Sequence, residues 1–182
     1  MSTRLAWATS KLLALAVGAA ATLLAADLPA GAVKALDQRY PGWRLADAAP
    51  QIVSWFREYH VSYAPNLARA DFNSDGRDDF AVQILHKGRQ RVVSLIGQPN
   101  GFAVFALTDD PPDPFTFLIL FPKGQKDFDF ERMKPFRYNA DSLGVLYFYK
   151  TALTFQWKGG RFEKNDSPGD EEVEAEQAEN NE

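Results

Sequence analysis

The sequence predicts an α+β domain, with one or two N-terminal helices packed on a twisted, mainly antiparallel β-sheet. Three observations predict it. Apolar residues recur near every fourth position up to Tyr59 and at every second position after Asp79, which is the change from helical to strand periodicity. The alternating runs are separated by short turn signals, whereas parallel neighbours would need crossovers of about a dozen or more residues. A hydrophobic content of 46%, with 14 Phe in 182 residues, is enough to fill one core and suits a single domain.

The front of the chain is set apart from that domain. Arg4 and Lys11 precede the uncharged, Leu- and Ala-rich run from Leu12 to Ala26. A positive region, an apolar stretch and small residues at its exit are the order of a secretory signal peptide, here residues 1–26. The Ala30-Gly31-Ala32 triplet allows cleavage as late as residue 32. The apolar run is shorter than the roughly 20 residues a membrane-spanning helix needs, so no membrane attachment is expected after cleavage. The chain has no cysteine, which excludes a lipid-anchored N-terminal cysteine, disulfides, thiol catalysis and cysteine-based zinc sites. A periplasmic or secreted location is the expectation.

The domain is expected over residues 33–164. Val33, Leu36 and Tyr40 give a helical spacing ended by Pro41-Gly42. Pro50 suits a first helical turn, and Ile52, Val53, Phe56 and Tyr59 recur as one buried helical face. Phe80, Val82 and Ile84 then alternate, as do Phe115 to Phe121, Leu143 to Tyr149 and Leu153 to Trp157. Turn signals at Lys87-Gly88, Pro99-Asn100-Gly101, Asp110-Pro111-Pro112, Lys123-Gly124 and Gly159-Gly160 separate these strands. From Asn165 to Glu182 the chain carries eight acidic residues and no basic one, the composition of a solvated, disordered tail. Setting aside the −8 of this tail and the +2 of the leader from the net −4 leaves +2 on residues 27–164. Those basic residues are scattered, so no nucleic-acid surface is expected.

The loop between the helical and strand regimes carries the readable chemistry. In Asp71-Phe72-Asn73-Ser74-Asp75-Gly76-Arg77-Asp78-Asp79, oxygen-bearing side chains fall at positions one, three, five and nine, with glycine at six. Calcium is a hard cation that takes roughly six to eight oxygen ligands, and alternate residues of a tight turn can aim at one point. Glycine permits the sharp reversal. Arg77 would contribute its backbone carbonyl, and Asp78 would point outward toward Arg77 or Arg69. An EF-hand is rejected, because its twelfth position, a bidentate Glu in that motif, is Val82 here and the next segment alternates as a strand.

The stretch Asp71-x-Asn73-x-Asp75-Gly76-x-x-Asp79, followed by Phe-Ala-Val, resembles the calcium loop of FG-GAP and VCBS repeats. The resemblance implies side-chain ligands at Asp71, Asn73, Asp75 and Asp79 and a carbonyl ligand at Arg77. It covers only Arg69 to Leu85, and no second copy of the loop occurs, so the repeated-blade propeller of that family is not carried over. The closing Trp157-Lys158-Gly159-Gly160-Arg161-Phe162 hairpin also resembles the end of small exported bacterial proteins of unknown function that carry one such loop.

Other candidates for chemistry are Asp109, Asp110 and Asp113, readable as carboxylates for glycoside hydrolysis but set among Pro111, Pro112 and Pro114 as in a stiff loop. Tyr147, Phe148, Tyr149, Phe155 and Trp157 could form a sugar-binding face or simply pack. His60 and His86 are not placed together by the sequence, and no H-E-x-x-H, G-x-S-x-G or phosphate-cradling glycine loop is present. The reading is an exported, non-enzymatic calcium-binding protein whose metal is mainly structural, its glycan or protein partner unspecified. The alternative is a secreted hydrolase, a hydrolase inhibitor or a carbohydrate-binding module.

Overall fold

A computed structural model describes residues 28–129, 133–148 and 150–167. The signal-peptide segment, Tyr149 and the acidic stretch after Ser167 lie outside the described residues. Helix α1 spans Ala30–Arg39 and helix α2 spans Pro50–Glu58, the latter with Pro50 in its first turn. The described strands are β1 (Arg44–Leu45), β2 (Leu67–Ala70), β3 (Asp79–His86), β4 (Arg89–Gln98), β5 (Gly101–Ala106), β6 (Thr116–Phe121), β7 (Lys126–Asp129), β8 (Lys134–Arg137), β9 (Ser142–Tyr147), β10 (Thr151–Lys158) and β11 (Arg161–Ser167).

These strands make two main sheets where the sequence suggested one. The first runs β1-β3-β4-β5, with β2 also paired to β3, and the second runs β11-β10-β9-β6. The pairings within both are antiparallel, and β7 and β8 form a separate antiparallel hairpin. The α+β class therefore stands, with a layered arrangement that period-two alternation does not reveal.

The reason lies in β3 and β4, whose residues are buried on both faces. Phe80, Val82 and Ile84 project with Val93 and Leu95 toward Ala32 and Leu36 of α1 and Tyr40 just after it. Their neighbours Ala68, Ala81, Val92 and Ile96 turn the other way and meet Leu118, Leu143, Val145 and Phe155 of the second sheet. On the far side, Phe117, Ile119 and Phe121 pack against Ile52 and Phe56 of α2. The order of layers is helix, sheet, sheet, helix. Alternate residues of a strand point to opposite faces, so each sheet serves two cores at once. Burying a Phe or Leu side chain contributes about 1.5–3 kcal/mol, and three such cores hold the fold without a disulfide.

Both ends of the domain extend beyond the expected bounds. Leu28 and Ala32 belong to the α1 core, so the domain begins before residue 33. At the other end Asn165, Asp166 and Ser167 pair with Thr154, Leu153 and Ala152, and the first residues assigned to the tail are strand. Their polar composition hid this, because residues 165–167 continue the ladder with β10 past the apolar anchor Phe162.

Candidate functional site

The acidic loop joins β2 to β3, strands that pair from Leu67↔Val82 to Ala70↔Asp79, so its two ends are held together. Phe72 anchors it from below. Its side chain is fully buried between the sheets and meets the Phe162 ring edge-on at 5.9 Å. The residues around it then curl outward. Ser74 and Gly76 both take positive φ, 58° and 81°, a conformation that costs glycine little.

The exposed part of the loop is organised by its own backbone N–H groups. Asp71 Oδ1 accepts from Asp75 N at 3.0 Å and its Oδ2 from Gly76 N at 2.9 Å. Asn73 Oδ1 accepts from that same Asp75 N at 3.0 Å. Asp75 Oδ1 accepts from Arg77 N at 2.9 Å, and its Oδ2 from Asn73 Nδ2 at 3.1 Å. The Arg77 N–H, then Asn73 and the Arg77 charge, hold the Asp75 carboxyl below the usual carboxylate range despite some desolvation. Asp71, Asn73 and Asp75 are thus gathered around one turn. Arg77 sends its guanidinium back to Asp75 at 3.3 Å, and Asp78 pairs outward with Arg69 at 2.7 Å, one of its two anticipated partners.

Asp79 is a different kind of residue. It is 0% exposed, and its carboxylate accepts from Phe72 N at 2.8 Å and from Gly97 N at 2.7 Å. Burial pushes its pKa up to about 6, against the pull of the Gly97, Phe72 and Asn73 N–H groups, and the neighbouring Asp75 charge pushes it the same way. Among the described residues no Lys, Arg or His side chain is ion-paired with it.

Two residues that sequence reasoning missed complete the setting. Gly97 lets β4 approach the loop, since a Cβ there would lie 2.7 Å from the backbone oxygen of Asp78. Asp141, at the entry to β9, accepts from Asp71 N at 3.2 Å and from Lys123 N at 2.9 Å. It therefore links the loop to the second sheet. Both contacts join distant parts of the chain, and no local motif announces them.

Among the described residues, no three Asp, Glu, His or Cys side chains are drawn together as a group able to hold a metal ion. The donor chemistry of the loop still suits a hard cation. Side-chain oxygens of Asp71, Asn73 and Asp75 share one turn, and each carboxylate oxygen engaged once by N–H retains a second lone pair.

The remaining candidates are dispersed into structural contacts. Asp109 bonds Arg89 at 2.7 Å and Arg91 at 2.9 Å, Asp110 accepts from the Tyr147 hydroxyl at 2.8 Å, and Asp113 takes Lys150 at 3.1 Å and Phe115 N at 3.0 Å. Phe155 is buried, while Trp157 packs edge-on against Phe105 and Phe162. Phe148 faces the α2 side, against Phe117. Of these carboxylates and rings only Asp110 and Tyr147 meet directly, while Phe148, Phe155 and Trp157 pack elsewhere. His86 stands edge-on to Tyr40 in the α1 layer and His60 follows α2, so the two histidines are also apart.

No family model, curated protein or solved structure matches this chain.

Proposed function

We propose that this is an exported, non-enzymatic calcium-binding protein in which the metal has a mainly structural role. The observation that carries the reading is the buried Asp79 carboxylate, without a cationic partner among the described residues, beneath a turn that gathers the oxygens of Asp71, Asn73 and Asp75. Acidic groups this close repel one another, and a divalent cation would relieve that. Asp71, Asn73, Asp75 and Asp79 would hold it through side chains and Arg77 through its carbonyl. Calcium would then stiffen the turn between β2 and β3.

For export, the position of α1 favours cleavage after Ala26. Cleavage after Ala32 would cut inside the first turn of α1 and remove Leu28 and Ala32 from the core. Mass spectrometry of the mature protein should give an N-terminus at Asp27. Among the described residues no helix is long and apolar enough to cross a membrane.

The decisive experiment is calorimetric titration with calcium, together with thermal unfolding in calcium and in chelator. Heat of binding at one site and a higher midpoint in calcium are expected. Equal midpoints and no heat would defeat the reading and leave the loop as a self-bonded turn.

A further inference from the structure

The edges of the two sheets are protected unequally. On the first sheet, β3 is flanked by the short strands β1 and β2. On the second, the outer side of β6 is capped where Leu118 N donates to Pro65 O at 2.8 Å and Leu120 N to the Tyr63 hydroxyl at 2.9 Å. The other edge, β11, carries Arg161, Glu163, Lys164 and Asp166, the charged composition that discourages strand pairing. Strand β5 has neither device on its outer backbone edge, and α1 packs on the face that carries Phe102 and Val104. Gly101-Phe102-Ala103-Val104-Phe105-Ala106 holds no charge and no proline, and it is the terminal strand of its sheet.

Its hydrogen-bonding parity can be read from its continuation. Leu107 N donates to Val92 O at 2.9 Å, and hydrogen-bonded residues alternate along an antiparallel ladder, so Ala103 and Phe105 bond to β4. Phe102, Val104 and Ala106 therefore direct their N–H and C=O groups away from the sheet. Among the described residues these outward groups have no hydrogen-bond partner. Phe102 and Val104 are half-buried and Ala106 is exposed.

We propose that β5 is a strand-addition edge whose occupant is β5 of a second copy of this chain, joined antiparallel about a two-fold axis at Val104. The strand is complementary to itself. The two-fold sets Phe102 opposite the partner's Ala106, a large side chain against a small one, twice over. No like charges are opposed, because the strand has none. The three outward residues of each copy then complete one ladder, and the two first sheets become a single continuous sheet. A closed pairing of this kind also uses up an edge that would otherwise template open-ended association.

The test is analytical ultracentrifugation of the protein over about a hundredfold dilution, paired with amide hydrogen exchange at the two ends of that range. A monomer–dimer equilibrium is expected, with protection of the Phe102, Val104 and Ala106 amides rising with concentration while Ala103 and Phe105 stay protected throughout. Ala106→Pro removes an outward N–H that β4 does not use, and it should weaken dimerisation at least about tenfold with the circular dichroism spectrum unchanged. Should that variant misfold, the concentration dependence of the parent's exchange decides alone. A monomer at every concentration would overturn the proposal. So would a dimer without protection at those three amides, or one unchanged by Ala106→Pro in a folded variant, or pairing only with strands of other proteins.

Discussion

In the loop at residues 109–113, Asp109 lies between Arg89 and Arg91 and Asp113 meets Lys150, so negative charge is answered by side-chain cations at the surface. In the loop at residues 71–79, the carboxylates of Asp71 and Asp79 are answered by backbone N–H groups, and Asp79 is sealed under the turn. Similar composition thus produces two electrostatic outcomes. Exposed ion pairs are screened by water and contribute little, whereas a buried carboxylate that accepts from two separate backbone segments is costly to lose. Asp79, unlike Asp109 and Asp113, is thus left without a cationic partner among the described residues.

The largest contrast should come from deletion. Asp79→Ala leaves the N–H groups of Phe72 and Gly97 buried without an acceptor, and should cost on the order of 2–4 kcal/mol by urea denaturation. Asp109→Ala should change stability far less, because its exposed ion pairs are screened by water. Comparable losses would mean that burial is not what separates the loops.

Calcium should sharpen the comparison next. At about a hundred times the dissociation constant it should add roughly 2.7 kcal/mol to the parent protein. Asp75→Ala should abolish most of that increment, whereas Asp78→Ala, which removes only the outward pair with Arg69, should retain it. Asp109→Ala should retain it too. If Asp75 and Asp78 variants respond alike, the cation is attracted to an acidic stretch and not to a site.

The pH dependence contributed by Asp79 should have the opposite sign to that of Asp109 and Asp113. In chelated protein the folded pKa of Asp79 is raised to about 6, so protonation favours the fold. Its contribution is fully present below the ordinary aspartate value and is lost as pH rises from about 4 through about 6, by on the order of 2 kcal/mol. Asp109 is held low by its hydrogen bond to Arg89 and by Arg91. Asp113 is also low, its burial outweighed by the Phe115 N–H and Lys150. Those two contribute stability above the unfolded pKa that disappears as pH falls through their folded values. Unfolding curves of Asp79→Ala against parent, taken in chelator across this window, would separate the contributions. A parent stability rising between pH 4 and 6 to the same extent in both proteins would break the assignment to Asp79.

The most local effect concerns Gly97, where backbone must shift to admit any side chain. Gly97→Ala puts a methyl group 2.7 Å from a backbone oxygen, and should loosen the Asp79 contact with little change elsewhere in β4. Faster hydrogen exchange at Phe72 and Gly97 is the expected sign, with exchange at the Gln90–Asp110 bridge unchanged.

Much of this organisation was legible because it is local. Helix α2 follows from Pro50 and the spacing of Ile52 and Phe56, and β6, β9 and β10 follow from alternation bounded by turn residues. The loop's own turn was legible for the same reason, since Asp71, Asn73 and Asp75 bond within five residues of one another. Strand β2 was not, because four residues reading Leu-Ala-Arg-Ala carry too little period to be noticed. Strand β4 is apolar on both faces from Val92 to Val93 and from Leu95 to Ile96, which erases alternation. The second sheet, the Gly97 contact and the Asp141 bridge depend on long-range packing, which spacing within a window cannot report.

The Asp141 bridge sets an order of events in folding. Its bond to Asp71 N spans 70 residues, while the bonds that curl the turn span five or fewer. Loop closure over a long separation is entropically slower than closure over a short one. The turn can thus form early, as a local element, but it is fastened to the second sheet only after β6 and the entry to β9 have been brought alongside. Amide protection at Asp75 and Gly76 gained before that at Asp71 during refolding would be the expected sign of this order.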